Sequence, residues 1–265
     1  MNLKLLAITT LLLTIKTTGA AFSFSKIQHS FTDYQENNIA YNNQNAFTYF
    51  QVAREKQMEG DNLAAIVLYD KAIKLDPMYA EAYTNRGSAY RDIQKYDLAI
   101  EDYNKSISIK PNLAGTYNNR GNTYFYIKKY GKAMDDYNKA IFLDSKYYKA
   151  YNGRGLLNTE IDNNNEALKD FNMAIFINPT YGPSYFNRGI VHTNLKNYGK
   201  AIADYDKVIS LNPYYAQSYA NKGYVYQLMG NNEKAKVNML KASNLLKNQK
   251  DYVNYQLVQE MIKKL

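Results

Sequence analysis

Two ladders of polar residues recur along this 265-residue chain, and they carry most of the chemistry it could perform. The first pairs arginine with aspartate. Arg86, Arg120, Arg154 and Arg188 stand 34 residues apart, and Asp102, Asp136, Asp170 and Asp204 each follow one of them by sixteen. A guanidinium presents a fork of donors that suits a carboxylate or a phosphate. The ladder is therefore either a basic stripe for anionic ligands or a set of ion pairs internal to the fold. The sequence favours internal pairs, because the two residue types disappear together. Val52 is matched by Leu68, and Lys222 by Asn238. The second ladder is Asn85, Asn119, Asn187 and Asn221, with Gln51 and Gly153 standing at the remaining rungs. A primary amide both donates and accepts, so such a row can hydrogen-bond a peptide main chain with little regard for its side chains.

Other chemistry is excluded by composition. Cysteine is absent, which removes disulfides, thiol nucleophiles and zinc–thiolate sites. Only two histidines are present, His29 and His192, too few for a histidine-rich metal site. The sequence has no glycine-rich phosphate loop, and Asp135–Asp136 reads as a helix-surface pair without a partner base. The expectation is a protein without catalytic residues, metal or cofactor.

The elements that position these ladders are legible from a repeat. Gly falls at 87, 121, 155, 189 and 223, and Ala at 65, 99, 133, 167, 201 and 235, every interval being 34. Pro falls at 77, 111, 179 and 213, with Ser145 where one is missing. Within one unit, Tyr83, Gly87 and Tyr90 share a helical stripe, and Ala99, Tyr103 and Ser106 share a second. Between them a turn is expected around Gln94 to Asp97, and Asn163 to Asn165 reads as the same turn two units later. Pro111 ends the second helix. Six such units span residues 46–247, and residues 248–265 form a capping helix with Val253, Leu257, Met261 and Leu265 at intervals of four. At about 100° per residue, Asn85 points about 160° away from Gly87. The amide row therefore faces away from the packed stripe. Thr84, Ser88, Arg91, Asn118, Asn122, Tyr126, Asn152 and Tyr224 are expected on that same face. The Arg and Asp positions flank the buried stripes and are expected to pair between packed helices. His192 lies on the packed stripe, where other units carry Tyr124 or Tyr226, and reads as a core residue.

The segments YTNRGSAY, YNNRGNTY, YNGRGLLN, YFNRGIVH and YANKGYVY, each followed by the Ala, aromatic and Pro spacing of a second helix, resemble the tetratricopeptide repeat family. The first unit departs from that pattern with Ala53 and Lys56, and the last with Met239; Asn158 and His192 replace the second aromatic in two inner units. The resemblance implies an all-α, right-handed superhelical solenoid of helix–turn–helix repeats. It also implies that the amide row lines a concave groove binding an extended peptide or a partner protein. The row itself resembles the asparagine ladder of the repeat domain of the O-linked N-acetylglucosamine transferase. The carboxylate clamp found in some members of the family is not expected, since Gly115, Thr84 and Pro183 stand where charges would be needed.

Residues 1–23 read as a secretory signal peptide: Lys4, the apolar run Leu5 to Ile15, then Gly19, Ala20 and Ala21. Residues 24–45 read as a flexible lead-in. The expected location is exported, periplasmic or secreted, with an uncleaved membrane anchor as the alternative. After cleavage no membrane span remains. Lysine and arginine total 33 against 24 acidic residues, a formal charge of +9. This keeps nucleic-acid binding open as an alternative, although pairing of the Arg ladder weighs against it. Self-association through stacking is the other alternative.

Overall fold

The computed structural model describes residues 45–265; the signal-peptide, lead-in and His29 assignments lie outside them except for Asn45. The described chain is all helical and contains no strand. Its thirteen helices are α1 (Ala46–Met58), α2 (Asn62–Leu75), α3 (Ala80–Asp92), α4 (Tyr96–Ile109), α5 (Ala114–Tyr126), α6 (Tyr130–Leu143), α7 (Tyr148–Glu160), α8 (Asn164–Ile177), α9 (Gly182–Asn194), α10 (Tyr198–Leu211), α11 (Ala216–Leu228), α12 (Asn232–Asn248) and α13 (Tyr252–Ile262). They pair consecutively into six hairpins, and α13 follows alone.

Each hairpin is held by one close contact. The second helix carries a large apolar side chain, Tyr69, Tyr103, Tyr137, Phe171, Tyr205 or Met239, with at most 1% of its surface exposed. In the last five hairpins it lies directly on a glycine of the first helix. A Cβ on Gly87 would stand 2.9 Å from Tyr103 Cε1, and one on Gly223 would stand 2.8 Å from Met239 Cγ. Glycine costs about 1 kcal/mol of helix propensity relative to alanine. The aromatic burial it permits outweighs that, at about 1.5–3 kcal/mol per side chain. In the first hairpin Ala53 takes the glycine's place and is fully buried beside Tyr69.

The turn inside each hairpin is made by one left-handed residue. Gly60, Gln94, Lys128, Asp162, Lys196 and Gly230 all have positive φ, between 59° and 86°. The amide following Gln94, that of Lys95, reaches back to the Tyr90 carbonyl at 2.8 Å and closes the end of α3. The turns are shorter than the sequence pattern suggests. Tyr96 already opens α4, and Asn164 and Asn165 already belong to α8 with only Asn163 outside it. The first helical turn leaves backbone donors free, so polar residues are tolerated inside it.

The chain divides into two compact units, residues 45–143 and residues 144–265. In the first, α1 to α6 stack as three hairpins, the second helix of one packing on the first helix of the next. Its main core comprises Phe50, Ala53, Leu68, Tyr69, Ala72 and Ile73 with Ala82 of the following hairpin. A buried hydroxyl cluster ties α3, α4 and α5: Thr84 Oγ1 lies 2.7 Å from both Ser106 Oγ and Thr116 Oγ1. In the second unit, α7 to α12 stack in the same way and α13 covers the last hairpin, burying Leu245, Leu246 and Val258 together.

Candidate functional site

The arginine ladder is built into the hairpins. Arg86 donates from Nε and Nη2 to the two carboxylate oxygens of Asp102 at 2.8 and 2.6 Å. Arg120 forks onto Asp136 at 2.9 and 2.7 Å, and Arg188 onto Asp204 at 2.9 and 2.6 Å. Arg154 donates to Asp170, with Nη2 at 2.6 Å. Three of these arginines stack on the tyrosine three residues earlier within 5.4–5.6 Å, and Arg188 does so on Tyr185 at 5.5 Å. The carboxylates are buried. Burial pushes the Asp102 carboxyl above the usual carboxylate range, with Arg86 pulling against it. Burial likewise works against the Arg86 cation, but Asp102 and Asp70 more than offset it and hold the proton more firmly.

A further partner escaped the sequence reading. The remaining nitrogen of three of the arginines, and the ammonium of Lys222, reach sixteen residues backwards to the second helix of the preceding hairpin. Arg86 Nη1 donates to Asp70 at 2.5 Å, Arg120 to Asn104 at 2.5 Å, Arg188 to Asn172 at 2.6 Å, and Lys222 Nζ to Asp206 at 2.5 Å. One side chain thereby fastens its own helix to two others. The signal was present as a recurrent Asp or Asn at that spacing, but Asn is so common in this chain that it did not stand out. Asn158 gives Asp170 an additional donor at 3.0 Å, another contact not foreseen.

The amide row is less uniform than its spacing. In the first unit, Asn85 is half-buried beside the Tyr69 phenol, which burial pushes up to about 12. Asn119, also half-buried, donates from Nδ2 to Ser88 Oγ at 3.2 Å and accepts from Asn118 at 3.3 Å. Tyr103 donates to the same Ser88 hydroxyl at 3.2 Å. Asn122 Oδ1 accepts from Tyr137 at 2.8 Å, which leaves its Nδ2 hydrogens for another acceptor. Gln51 accepts from Arg54 at 3.2 Å. Arg91 and Tyr126 lie near one another, Arg91 salt-bridged to Asp92. In the second unit, Asn187 donates to Asn152 at 3.1 Å, where Ser184 also donates at 3.0 Å. Tyr224 packs half-buried against the last core cluster.

Several residues expected on an open face are covered. Thr84, Ser88 and Asn152 are buried by the next hairpin's first helix, to which each is hydrogen-bonded, and Asn118 is buried as well. Asn221 departs furthest. It is only 1% exposed, because Leu257 and Val258 of α13 close over it. With Gln217, Ala220, Leu246 and Asn254 these residues line a cavity of about 20 Å³, and Asn221 Oδ1 has no hydrogen-bond partner among the described residues. The helical angle gave Asn221 a direction from the α11 axis, but it carried no information about how closely the last helix would lie.

His192 is buried, its Nδ1 has no partner among the described residues, and burial lowers its pKa from the ordinary histidine value. Among the described residues no group of three or more metal-ligating side chains converges, and no helix is long and apolar enough to cross a membrane.

The tetratricopeptide repeat family model matches residues 80–113, 114–147 and 183–215, and two further models of the same repeat match residues 59–91 and 204–237. Together they cover more than half of the chain. This is a tetratricopeptide repeat protein. The repeat chain is 48% identical to Tetratricopeptide repeat protein 28 of Homo sapiens over 44 residues, 17% of this chain and 2% of that protein, so it spans a small fraction of that relative. Among solved structures it is similar to MamA, at 28% identity and a TM-score of 0.54 over 65% of this chain and 94% of that one. It is also similar to YrrB, described as a repeat protein with an unusual peptide-binding site, at 22% identity and a TM-score of 0.55 over 74% of this chain and 98% of that one. The second likeness bears on the fold alone.

Proposed function

We propose that this repeat protein is an interaction scaffold that holds an extended peptide segment against the face carrying Asn85, Asn119 and Asn122 in the first unit, and that the second unit, taken by itself, offers Asn187 to a ligand in the same way. The observation that carries the reading is the state of the amides. Asn119 and Asn187 are half-exposed, and each spends one hydrogen bond on the preceding hairpin. That bond fixes the orientation of the amide, and its second N–H remains for a ligand. Fixing a side chain before binding removes an ordering cost of about 0.5–1.5 kcal/mol per residue. Main-chain hydrogen bonding gives affinity with broad sequence tolerance, and the tyrosines on the face add apolar contact.

The Arg ladder takes no part in ligand binding on this reading, since its forks are occupied by buried carboxylates. That lowers the charge free for nucleic acid. A peptide array probed at low and high salt tests the proposal. Wild type binds extended peptides at both salt concentrations, a variant with Asn85, Asn119 and Asn187 changed to Ala loses them while remaining folded, and Asn221→Ala keeps them. Binding that vanishes with salt irrespective of peptide sequence would instead favour nucleic acid. Unchanged binding by the triple variant would remove the amides from the mechanism.

We also propose that the protein is exported, on the pattern of residues 1–23. The intact mass of the protein recovered from its native compartment tests this: a start near Phe24 supports it, and retention of Met1 to Ser23 contradicts it.

A further inference from the structure

Arg91 differs from every other arginine of the repeat stripe. The four ladder arginines fork onto two carboxylate oxygens each, whereas Arg91 directs both Nε and Nη2 at a single oxygen, Asp92 Oδ1, at 3.1 and 2.8 Å. Its Nη1 makes no hydrogen bond to any described residue. The side chain is nonetheless only 21% exposed, while Asp92 is 38% exposed and its second oxygen receives no hydrogen bond from Arg91. Nη1 is not itself a buried unsatisfied atom, so a mostly covered guanidinium keeps one donor group open to an incoming acceptor.

The surroundings are polar and aromatic. The phenols of Tyr103, Tyr126 and Tyr137 lie within electrostatic range of Arg91. Tyr137 is bonded to Asn122 Oδ1, so the Asn122 amide hydrogens belong to the same cluster. In the second unit the corresponding residues are neutral. Thr159 and Thr193 return their hydroxyls to the carbonyls of Gly155 and Gly189 at 2.8 Å, and the third residue is Gln227.

We propose that Arg91, with Asn122 and Tyr126, forms a pocket for an acidic side chain, so that the peptide held by the first unit carries an aspartate or glutamate at this point. The incoming carboxylate takes the free Nη1 and the Asn122 amide, completing the fork that Asp92 leaves open. This rests on the amide face being the peptide site and adds its preferred ligand class.

A positional-scanning peptide library, blocked at both ends so that no terminal carboxylate is present, tests it against the full chain. Wild type is expected to prefer Glu or Asp over Gln or Asn at one position by about tenfold, the worth of one charge-assisted hydrogen bond. Arg91→Met should lose that preference, the Glu peptide weakening about tenfold more than the Gln peptide, and Arg91→Lys, which keeps the charge without the fork, should fall between. Absence of an acidic preference in wild type overturns the pocket, as does an Arg91→Met variant that weakens Glu and Gln peptides equally. If the triple Asn variant fails to bind but Arg91→Met still discriminates, the pocket alone is wrong. If the triple Asn variant binds as well as wild type, the face itself is wrong.

Discussion

Gly155 and Phe171, sixteen residues apart and on the two helices of one hairpin, are in direct contact: a Cβ added to the glycine would stand 2.7 Å from Phe171 Cε1. The same relationship joins Gly87 to Tyr103, Gly121 to Tyr137 and Gly189 to Tyr205. It explains why a residue with poor helix propensity recurs at the centre of a helix, and why an aromatic recurs opposite it.

Gly155→Ala should therefore destabilise the protein by about 1–3 kcal/mol, the cost of overpacking a filled core, despite its better helix propensity. Gly131 and Gly199 are also helical, but nothing lies within 4 Å of a Cβ there. Gly131→Ala and Gly199→Ala should stabilise by about 0.4–1 kcal/mol. Urea denaturation of the three variants checks the contrast in sign.

The ion-pair ladder gives a second contrast. Arg120→Val alone strands the buried Asp136 carboxylate and should cost about 3–5 kcal/mol. Adding Asp136→Leu should recover most of that, because the first hairpin already carries Val52 and Leu68 at the equivalent positions and packs both against its core. A double-mutant cycle by chemical denaturation measures the coupling. Additive losses would show that the pair is not what Asp136 needs.

Gly60 and Gly230 occupy the left-handed turn position in the outermost hairpins, while Lys128 holds the same position at φ 59°. A non-glycine residue there costs about 1–2 kcal/mol. Lys128→Gly should raise the thermal midpoint, allowing for the larger entropy of the unfolded glycine chain. A lowered midpoint would mean that the lysine side chain does something in the turn that its backbone strain conceals.

Much of this was legible in the sequence, and the omissions have physical reasons. The 34-residue interval displayed the glycine, its aromatic partner and the Arg–Asp pairing, because each is a contact of fixed spacing within a hairpin. Contacts with the preceding hairpin, such as Arg120 with Asn104, were hidden because asparagine is frequent everywhere. The amide row was visible as a direction from the helix axis. Direction does not report exposure, and Asn152 and Asn221 share the row's side of their helices while lying beneath a neighbour, with Asn118 buried too. The Arg91 geometry was not readable at all, since nothing in the spacing distinguishes a forked pair from a half-filled one.

His192 gives a pH dependence with a definite sign. Its folded-state pKa lies below the ordinary value because burial disfavours the cation, with Asp204 working the other way and Arg188 and Lys200 reinforcing the shift. The unfolded chain, with a histidine pKa near 6.5, takes up the proton first as pH falls. Stability contributed by the neutral side chain is therefore present above about pH 6.5 and is lost as pH falls through the folded-state value. His192→Asn, which copies the Asn158 arrangement, should flatten the stability difference between pH 7.5 and 5.5 relative to wild type. Comparing the two proteins cancels the slope due to carboxylates. An identical slope in both would assign the dependence elsewhere.

The most direct test of where a ligand lies uses two conservative replacements in the first unit. Tyr126 on α5 belongs to the amide-bearing face, and Phe142 on α6 is 80% exposed on the second helix of the same hairpin. Each is replaced by p-azidophenylalanine, and the full chain is irradiated with a peptide that wild type binds. The account predicts a covalent peptide adduct at position 126 and none at position 142. An adduct at 142 without one at 126 would contradict it and move the interaction surface to the second helices of the hairpins.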